Sequence, residues 1–133
     1  MADTYVYLIH EPDWDSDTFL PGNGPAGKDP RAHAESSFPQ HKAFQAAVAE
    51  LGARVVGGAA LQNSKFGGTV RPGAGERRVE DAAWTDGPFT ETSEVITGFY
   101  LVETDDPDLA RRIAALVPTG GSIEWRKVFP PGM

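Results

Sequence analysis

The chain has 133 residues, a formal net charge of -7 and no cysteine. This length predicts one domain over residues 1–133, with about two thirds of the unfolded surface buried in one core. Without cysteine, disulfides, thiolate chemistry and Cys-bearing zinc sites are excluded. The acidic balance and the scattered Lys and Arg residues disfavour nucleic acid and anionic membranes as partners.

The N-terminal residues carry no basic segment, and the longest apolar run falls far short of the roughly 18 residues of a membrane helix. We therefore expect a soluble, cytoplasmic protein.

Two stretches, "YVYLI" at Tyr5–Ile9 and "VITGFYLV" at Val95–Val102, are typical of strands that are buried on both faces. In the second stretch, Phe99 is predicted to point one way, and Ile96 and Tyr100 the other way. Two-sided burial needs two covers, and helices can supply only one of them. A second sheet or a second subunit has to supply the other.

The segment Glu11–Ser36 is rich in Pro, Gly and Asp and has no period. It predicts a long loop insertion, which would be a lid or a poorly ordered segment. Its alternating aspartates resemble the start of a calcium-binding loop, but Thr18 stands where that loop needs glycine. We expect no metal site and no cofactor.

Two helices are predicted. The first has Ser37 as its cap and Gln40 three residues later, as in a capping box, and ends at Gly52. The second has Asp106 as its cap and Pro107 at its first position. The predicted buried positions are Phe44, Ala47, Val48 and Leu51 in the first helix, and Leu109, Ile113 and Leu116 in the second.

Further strands are predicted at Arg54–Leu61, in a hairpin with arms near "TVR" and "VEDAAWT", and at Ser122–Val128. The order β-α-β-hairpin-β-α-β predicts an α+β fold, a ferredoxin-like split βαβ sheet with an extra β-hairpin. Both helices would back one face of the sheet. We expect a homodimer that packs the other faces together.

His41 is a candidate general base, because it shares a helix face with Phe44 and Val48 and therefore points toward the sheet. The positive end of the helix favours its neutral form. The alternative is a half-buried histidine that makes one hydrogen bond to a neighbouring strand.

"DGPFTE" at Asp86–Glu91 combines turn residues with two carboxylates. As a corner, it would use Gly87 and Pro88 for the turn and Phe89 to close a core edge. As the wall of a site, it would present Asp86 and Glu91 to a ligand.

The stretch "TDGPFTETSEVITGFYLVETDD" resembles the signature of the YCII-related family, in its DGPF-domain branch. Ser93 departs from the usual lysine of that signature, and the Glu11–Ser36 loop is longer than the usual link. The matching positions are Asp86, Gly87, Pro88, Phe89, Glu91, Thr92, Glu94, Gly98 and Tyr100.

The resemblance implies a dimeric α+β barrel among small, mostly uncharacterised bacterial proteins. A histidine-aspartate pair suggested for the wider family would correspond to His41 and Asp86, with Glu91 as a second acid or base. Phe99 and Tyr100 would be pocket walls. The fold that the resemblance implies does not choose a reaction. Our first hypothesis is cofactor-free proton transfer, of isomerase or lyase type, on a small cyclic or aromatic molecule. The alternative is a non-catalytic protein that binds a small molecule or regulates a partner linked to an extracytoplasmic-function sigma factor.

Overall fold

The structure is a computed structural model that describes residues 2–14, 39–86 and 94–130. Two of the described segments, Ser64–Phe66 and Val79–Asp81, are single-turn 3-10 helices. The main elements are β1 (Asp3–Pro12), α1 (Pro39–Glu50), β2 (Arg54–Ala60), β3 (Gly68–Arg71), β4 (Ala83–Asp86), β5 (Glu94–Thr104), α2 (Pro107–Ala114) and β6 (Ser122–Lys127).

The main sheet has four strands in the order β2-β5-β1-β6, and each neighbouring pair is antiparallel. This is the strand order of a split βαβ fold, so the predicted ferredoxin-like α+β class is confirmed. The additional strands β3 and β4 pair with each other as the predicted extra hairpin.

The core lies between the sheet and the two helices. Tyr7, at the centre of β1, is fully buried, and its hydroxyl donates a hydrogen bond to the carbonyl oxygen of Ala110 at 2.7 Å. Burial raises the Tyr7 pKa to about 12. This hydrogen bond ties the middle of the sheet to α2. Other core members are Tyr5, Ile9, Phe44, Val48, Ala53, Tyr100, Val102, Ile113, Ala114 and Val117.

The predicted helix ends are confirmed where the structure describes them. The Asp106 side chain accepts a hydrogen bond from the backbone N–H of Asp108 at 2.9 Å, and Pro107 begins α2. Gly52 follows α1 with a φ of +87°, a left-handed conformation that glycine adopts without the cost of a Cβ clash. Ser37 lies outside the described residues.

One predicted core position in α2 is wrong. Leu116 is 44% exposed, because α2 ends at Ala114 and the helical spacing that predicted its burial does not extend to this position. Ala110 and Val117 are buried instead.

The predicted facing of β5 is wrong at Ile96. The register of β5 against β1 shifts between Ile9 and His10, so that Gly98 lies opposite Ile9 and Ile96 lies opposite His10. The bulge inserts Thr97 as an extra residue and reverses the alternation before it. Ile96 therefore does not share the face of Tyr100, and it is 43% exposed.

The second face of the sheet is apolar at its centre. Val6, Leu8, Phe99 and Leu101 lie on this face and are half-buried. The helices cover only the opposite face, where the alternate residues of β1 are buried. Within residues 2–14, 39–86 and 94–130, neither helix supplies the predicted second cover.

Candidate active site

A cavity of about 480 Å³ lies at one end of the main sheet. The first turns of α1 form one side of it, and the ends of β1 and β2 and the beginning of β5 form the other. The lining residues are Ile9, Glu11, Pro12, Trp14, His41, Gln45, Gly58, Ala59, Ala60, Thr97, Gly98, Phe99 and Tyr100. A mostly apolar concave surface with a few convergent polar groups is typical of a small-molecule site.

His41 and Tyr100 form a hydrogen-bonded pair in this cavity. The Nδ1 atom of His41 lies 2.7 Å from the Tyr100 hydroxyl oxygen. The orientation of His41 toward the sheet follows from the sequence, since α1 begins at Pro39 and places His41 one turn before Phe44. Phe44 packs on the Tyr100 ring with 4.8 Å between centroids, which holds the start of α1 against β5.

Burial sets the protonation of both groups. It lowers the His41 pKa from its ordinary value of 6.5, although the charge of Glu11 acts in the opposite direction. Burial also raises the Tyr100 pKa, against the effect of a hydrogen bond from the Gln45 side chain. Around neutral pH the site therefore holds a neutral imidazole beside a neutral phenol.

The hydrogen bonds of Tyr100 connect Gln45 to His41. The Gln45 amide donates to the Tyr100 oxygen, and in the His41 tautomer that carries its proton on Nδ1 the same oxygen also accepts from Nδ1–H. The lone pair of the imidazole is then on Nε2, which is the basic nitrogen. This arrangement would orient a histidine for proton abstraction.

The carboxylate of Glu11 is held at the opposite wall by the bulge in β5. The hydroxyl of Thr97, the extra residue of the bulge, donates a hydrogen bond to Oε1 of Glu11 at 2.6 Å. Thr97 is buried and Glu11 is half-buried. The bulge thus brings a carboxylate into the cavity that contains His41.

Trp14 forms an aromatic wall that is attached at several points to the segment after β2. Its indole N–H donates to the carbonyl oxygen of Leu61 at 2.7 Å, and its own carbonyl accepts from the Asn63 side chain at 2.9 Å. The preceding Asp13 accepts from the backbone N–H of Ser64 at 3.1 Å and from its hydroxyl. These contacts fix Trp14 beside the cavity.

The structure brings together only some of the predicted site residues. His41 lies in the cavity, and so do Phe99 and Tyr100, the predicted pocket walls. Asp86 is the last residue of β4, where its backbone pairs with Gly68, and its side chain lies outside the described part of the chain. Glu91 lies outside the described residues. The pairing of His41 with Asp86 and the role of Glu91 stay predictions.

Glu11 and Trp14 were missed as site residues. Both fall in the segment that was predicted as a loop from Glu11 onward, whereas β1 continues to Pro12. The signal in the sequence was strand alternation: Glu11 continues the series of Tyr7 and Ile9 and belongs on the helix side of the sheet. The position of Trp14 has no such signal.

The described residues contain no group of three or more His, Cys, Asp or Glu side chains placed to hold a metal ion. Within the same ranges, no helix has the length and apolar character needed to cross a membrane.

Comparisons with known proteins support the assignment of the fold to a family. The chain is 39% identical over 70 residues to an uncharacterized protein of Rhizobium meliloti (strain 1021), an alignment that covers 48% of this chain and 52% of that protein. The chain thus matches about half the length of that relative. A family model described as the YCII-related domain matches residues 26–130, which is most of the chain and includes both helices. The chain belongs to the YCII-related domain family.

Proposed function

We propose that the protein is an enzyme without a tightly bound cofactor that moves a proton on a small molecule, with His41 as the general base. The observation that supports this most directly is the 2.7 Å hydrogen bond between Nδ1 of His41 and the Tyr100 hydroxyl inside a cavity of about 480 Å³. A general base needs a neutral imidazole, a fixed ring orientation and access to a substrate.

The reaction class follows from the groups present. His41 would accept a proton from a carbon next to a carbonyl group, and the electron pair of the C–H bond would shift toward the carbonyl oxygen. Return of the proton to another carbon gives an isomer, and departure of a β-substituent gives an elimination product. Tyr100 would orient His41, and the apolar walls would admit a small cyclic or aromatic molecule.

Deuterium exchange tests this proposal without knowledge of the natural substrate. The protein is incubated in D₂O with a panel of small cyclic and aromatic ketones and lactones, and loss of the α-proton signal is followed by NMR. Exchange by the wild type should fall by at least about 100-fold in His41→Gln, the usual loss when a general base is removed.

His10→Gln is the matched control, because His10 lies outside the cavity and contacts Glu124 at 3.3 Å. Exchange that persists in His41→Gln would contradict the proposal. If the wild type binds a ligand specifically but gives no exchange above the rate in buffer, the alternative is favoured, a binding protein without chemistry. A regulatory role linked to an extracytoplasmic-function sigma factor stays a prediction, as do membership of the DGPF branch and the cytoplasmic location.

We also propose that the protein is a homodimer through the second face of the sheet. Val6, Leu8, Phe99 and Leu101 form an apolar centre on this face that neither helix covers. A second copy would bury the same residues around a two-fold axis. Phe99 also lines the cavity, so this interface would adjoin the site.

A further inference from the structure

We propose that the cavity selects ligands that carry a cationic nitrogen, with Glu11 as the residue that determines this preference. The inference adds a ligand class to the proposed function and rests on the same cavity. It requires three properties of the cavity: the Glu11 carboxylate is held in place before a ligand binds, aromatic walls can contact a cation, and the net charge of the lining favours a positive ligand.

Glu11 is preorganised by its contact with Thr97. The hydrogen bond from the Thr97 hydroxyl occupies Oε1 at 2.6 Å, and it holds the carboxylate at the cavity wall before a ligand arrives. A carboxylate oxygen has more than one acceptor site, so Glu11 retains capacity for an ammonium N–H donor. Charge-assisted hydrogen bonds of this kind are roughly twice as strong as neutral ones.

The aromatic walls suit the same ligand. Two aromatic residues on the helix side of the sheet, Trp14 and Tyr100, line the cavity. An aromatic face attracts a nearby cation, and tryptophan does so most strongly. Because Trp14 is attached to Leu61 and Asn63, little conformational freedom has to be lost when its ring contacts a ligand.

The described lining of the cavity carries a negative charge. Glu11 is its only acidic residue, and the described lining contains neither lysine nor arginine. Burial keeps His41 neutral, so it does not offset Glu11. A carboxylate or phosphate ligand would meet Glu11 as a like charge, which disfavours its entry.

Three probes of the same ring size separate these effects: benzylamine, benzyl alcohol and benzoate. Their binding to the wild type is measured near pH 7.5 by NMR chemical-shift perturbation. Benzylamine should bind at least about tenfold more tightly than benzoate, which corresponds to about 1.4 kcal/mol. In Glu11→Gln the amide still accepts from Thr97, and the preference should fall to about threefold or less.

Glu50→Gln is the matched control, since it makes the same charge change on the exposed end of α1 and lies outside the cavity lining. It should keep the wild-type preference. The inference is overturned if benzoate binds as tightly as benzylamine, if none of the probes binds, or if Glu11→Gln keeps the preference. The wild-type comparison stands even when the Glu11 variant does not fold. Equilibrium binding is also independent of deuterium exchange, so either proposal can fail while the other holds.

Discussion

At the scale of single residues, the site depends on how Glu11, His41 and Tyr100 influence one another. His41 is half-buried and makes a hydrogen bond to a neighbouring strand, as its structural alternative predicted. The same contact also suits a general base. The two interpretations, a structural histidine and a general base, therefore predict the same contact between His41 and Tyr100. A titration of His41 tests which groups in the site influence its proton.

Replacing Glu11 with glutamine should lower the His41 pKa further. The Glu11 charge favours the imidazolium and partly opposes the effect of burial, so its removal leaves burial less opposed. The measurement is an NMR titration of the histidine ring protons, with His41→Gln to assign the signal.

Glu124→Gln is the control for that titration, because Glu124 contacts His10 rather than His41. It should leave the His41 titration unchanged. Asp86→Asn belongs in the same series. An unchanged His41 pKa in Glu11→Gln, together with a clear change in Asp86→Asn, would make Asp86 the acidic partner and refute the role assigned to Glu11.

The depressed His41 pKa also predicts a dependence of stability on pH. The unfolded chain binds a proton at the ordinary histidine pKa of 6.5, whereas the folded chain binds it only at lower pH. The contribution of neutral His41 is therefore present above pH 6.5 and is lost as the pH falls through the folded pKa.

Urea unfolding at pH 7.5 and at pH 5.5 measures this loss. The free energy of unfolding of the wild type should fall more between these two values than that of His41→Gln. The variant retains the carboxylates and the other histidines. The difference between the two proteins therefore isolates the contribution of His41 to the pH dependence of the free energy of unfolding. Equal losses in the two proteins would mean that His41 titrates in the same way folded and unfolded.

At the scale of elements, helix starts and one bulge position the site. Pro39 begins α1 and directs His41 to the sheet, and the bulge at Thr97 places a hydroxyl against Glu11. At the far side of the fold, α2 depends on its cap at Asp106 and carries Ala110, which accepts the Tyr7 hydrogen bond.

Asp106→Ala should destabilise the protein by about 1 kcal/mol, because it removes the side-chain acceptor of the Asp108 N–H. Asp105→Ala is the control, since Asp105 is exposed and precedes the cap. Thermal or urea unfolding of the two variants provides the comparison. A loss in Asp105→Ala as large as in Asp106→Ala would attribute the effect to charge rather than to capping.

For the whole molecule, the helices pack on one face of the sheet, and no helix in the described part of the chain covers the apolar centre of the other face. Leu101 lies on the second face, among Val6, Leu8 and Phe99. If two copies meet there, each monomer contributes this patch to a common core. The longest strand, β5, then has one face in the core of the monomer and the other in the dimer interface.

Leu101→Lys should convert the dimer to a monomer. A lysine that is buried against its own copy has no partner, and a cost of at least about 2 kcal/mol raises the dissociation constant by roughly thirty-fold or more. Sedimentation equilibrium of both proteins measures the change. Leu116→Lys, at an exposed position after α2, should leave the association unchanged. A monomeric wild type would refute the dimer.

Local periodicity and capping in the sequence predict the element order, both helices, the cap at Asp106, the stop at Gly52, the hairpin and the side of α1 on which His41 lies. The tertiary structure alone decided that Glu11 and Trp14 join His41 and Tyr100. Residues 7–12 meet residues 94–100 through antiparallel pairing across a bulge, and residues 13 and 14 meet residues 61–64 through hydrogen bonds that each involve a side chain. Such contacts between distant segments leave no period in the sequence, since one inserted residue reverses which face every earlier side chain occupies.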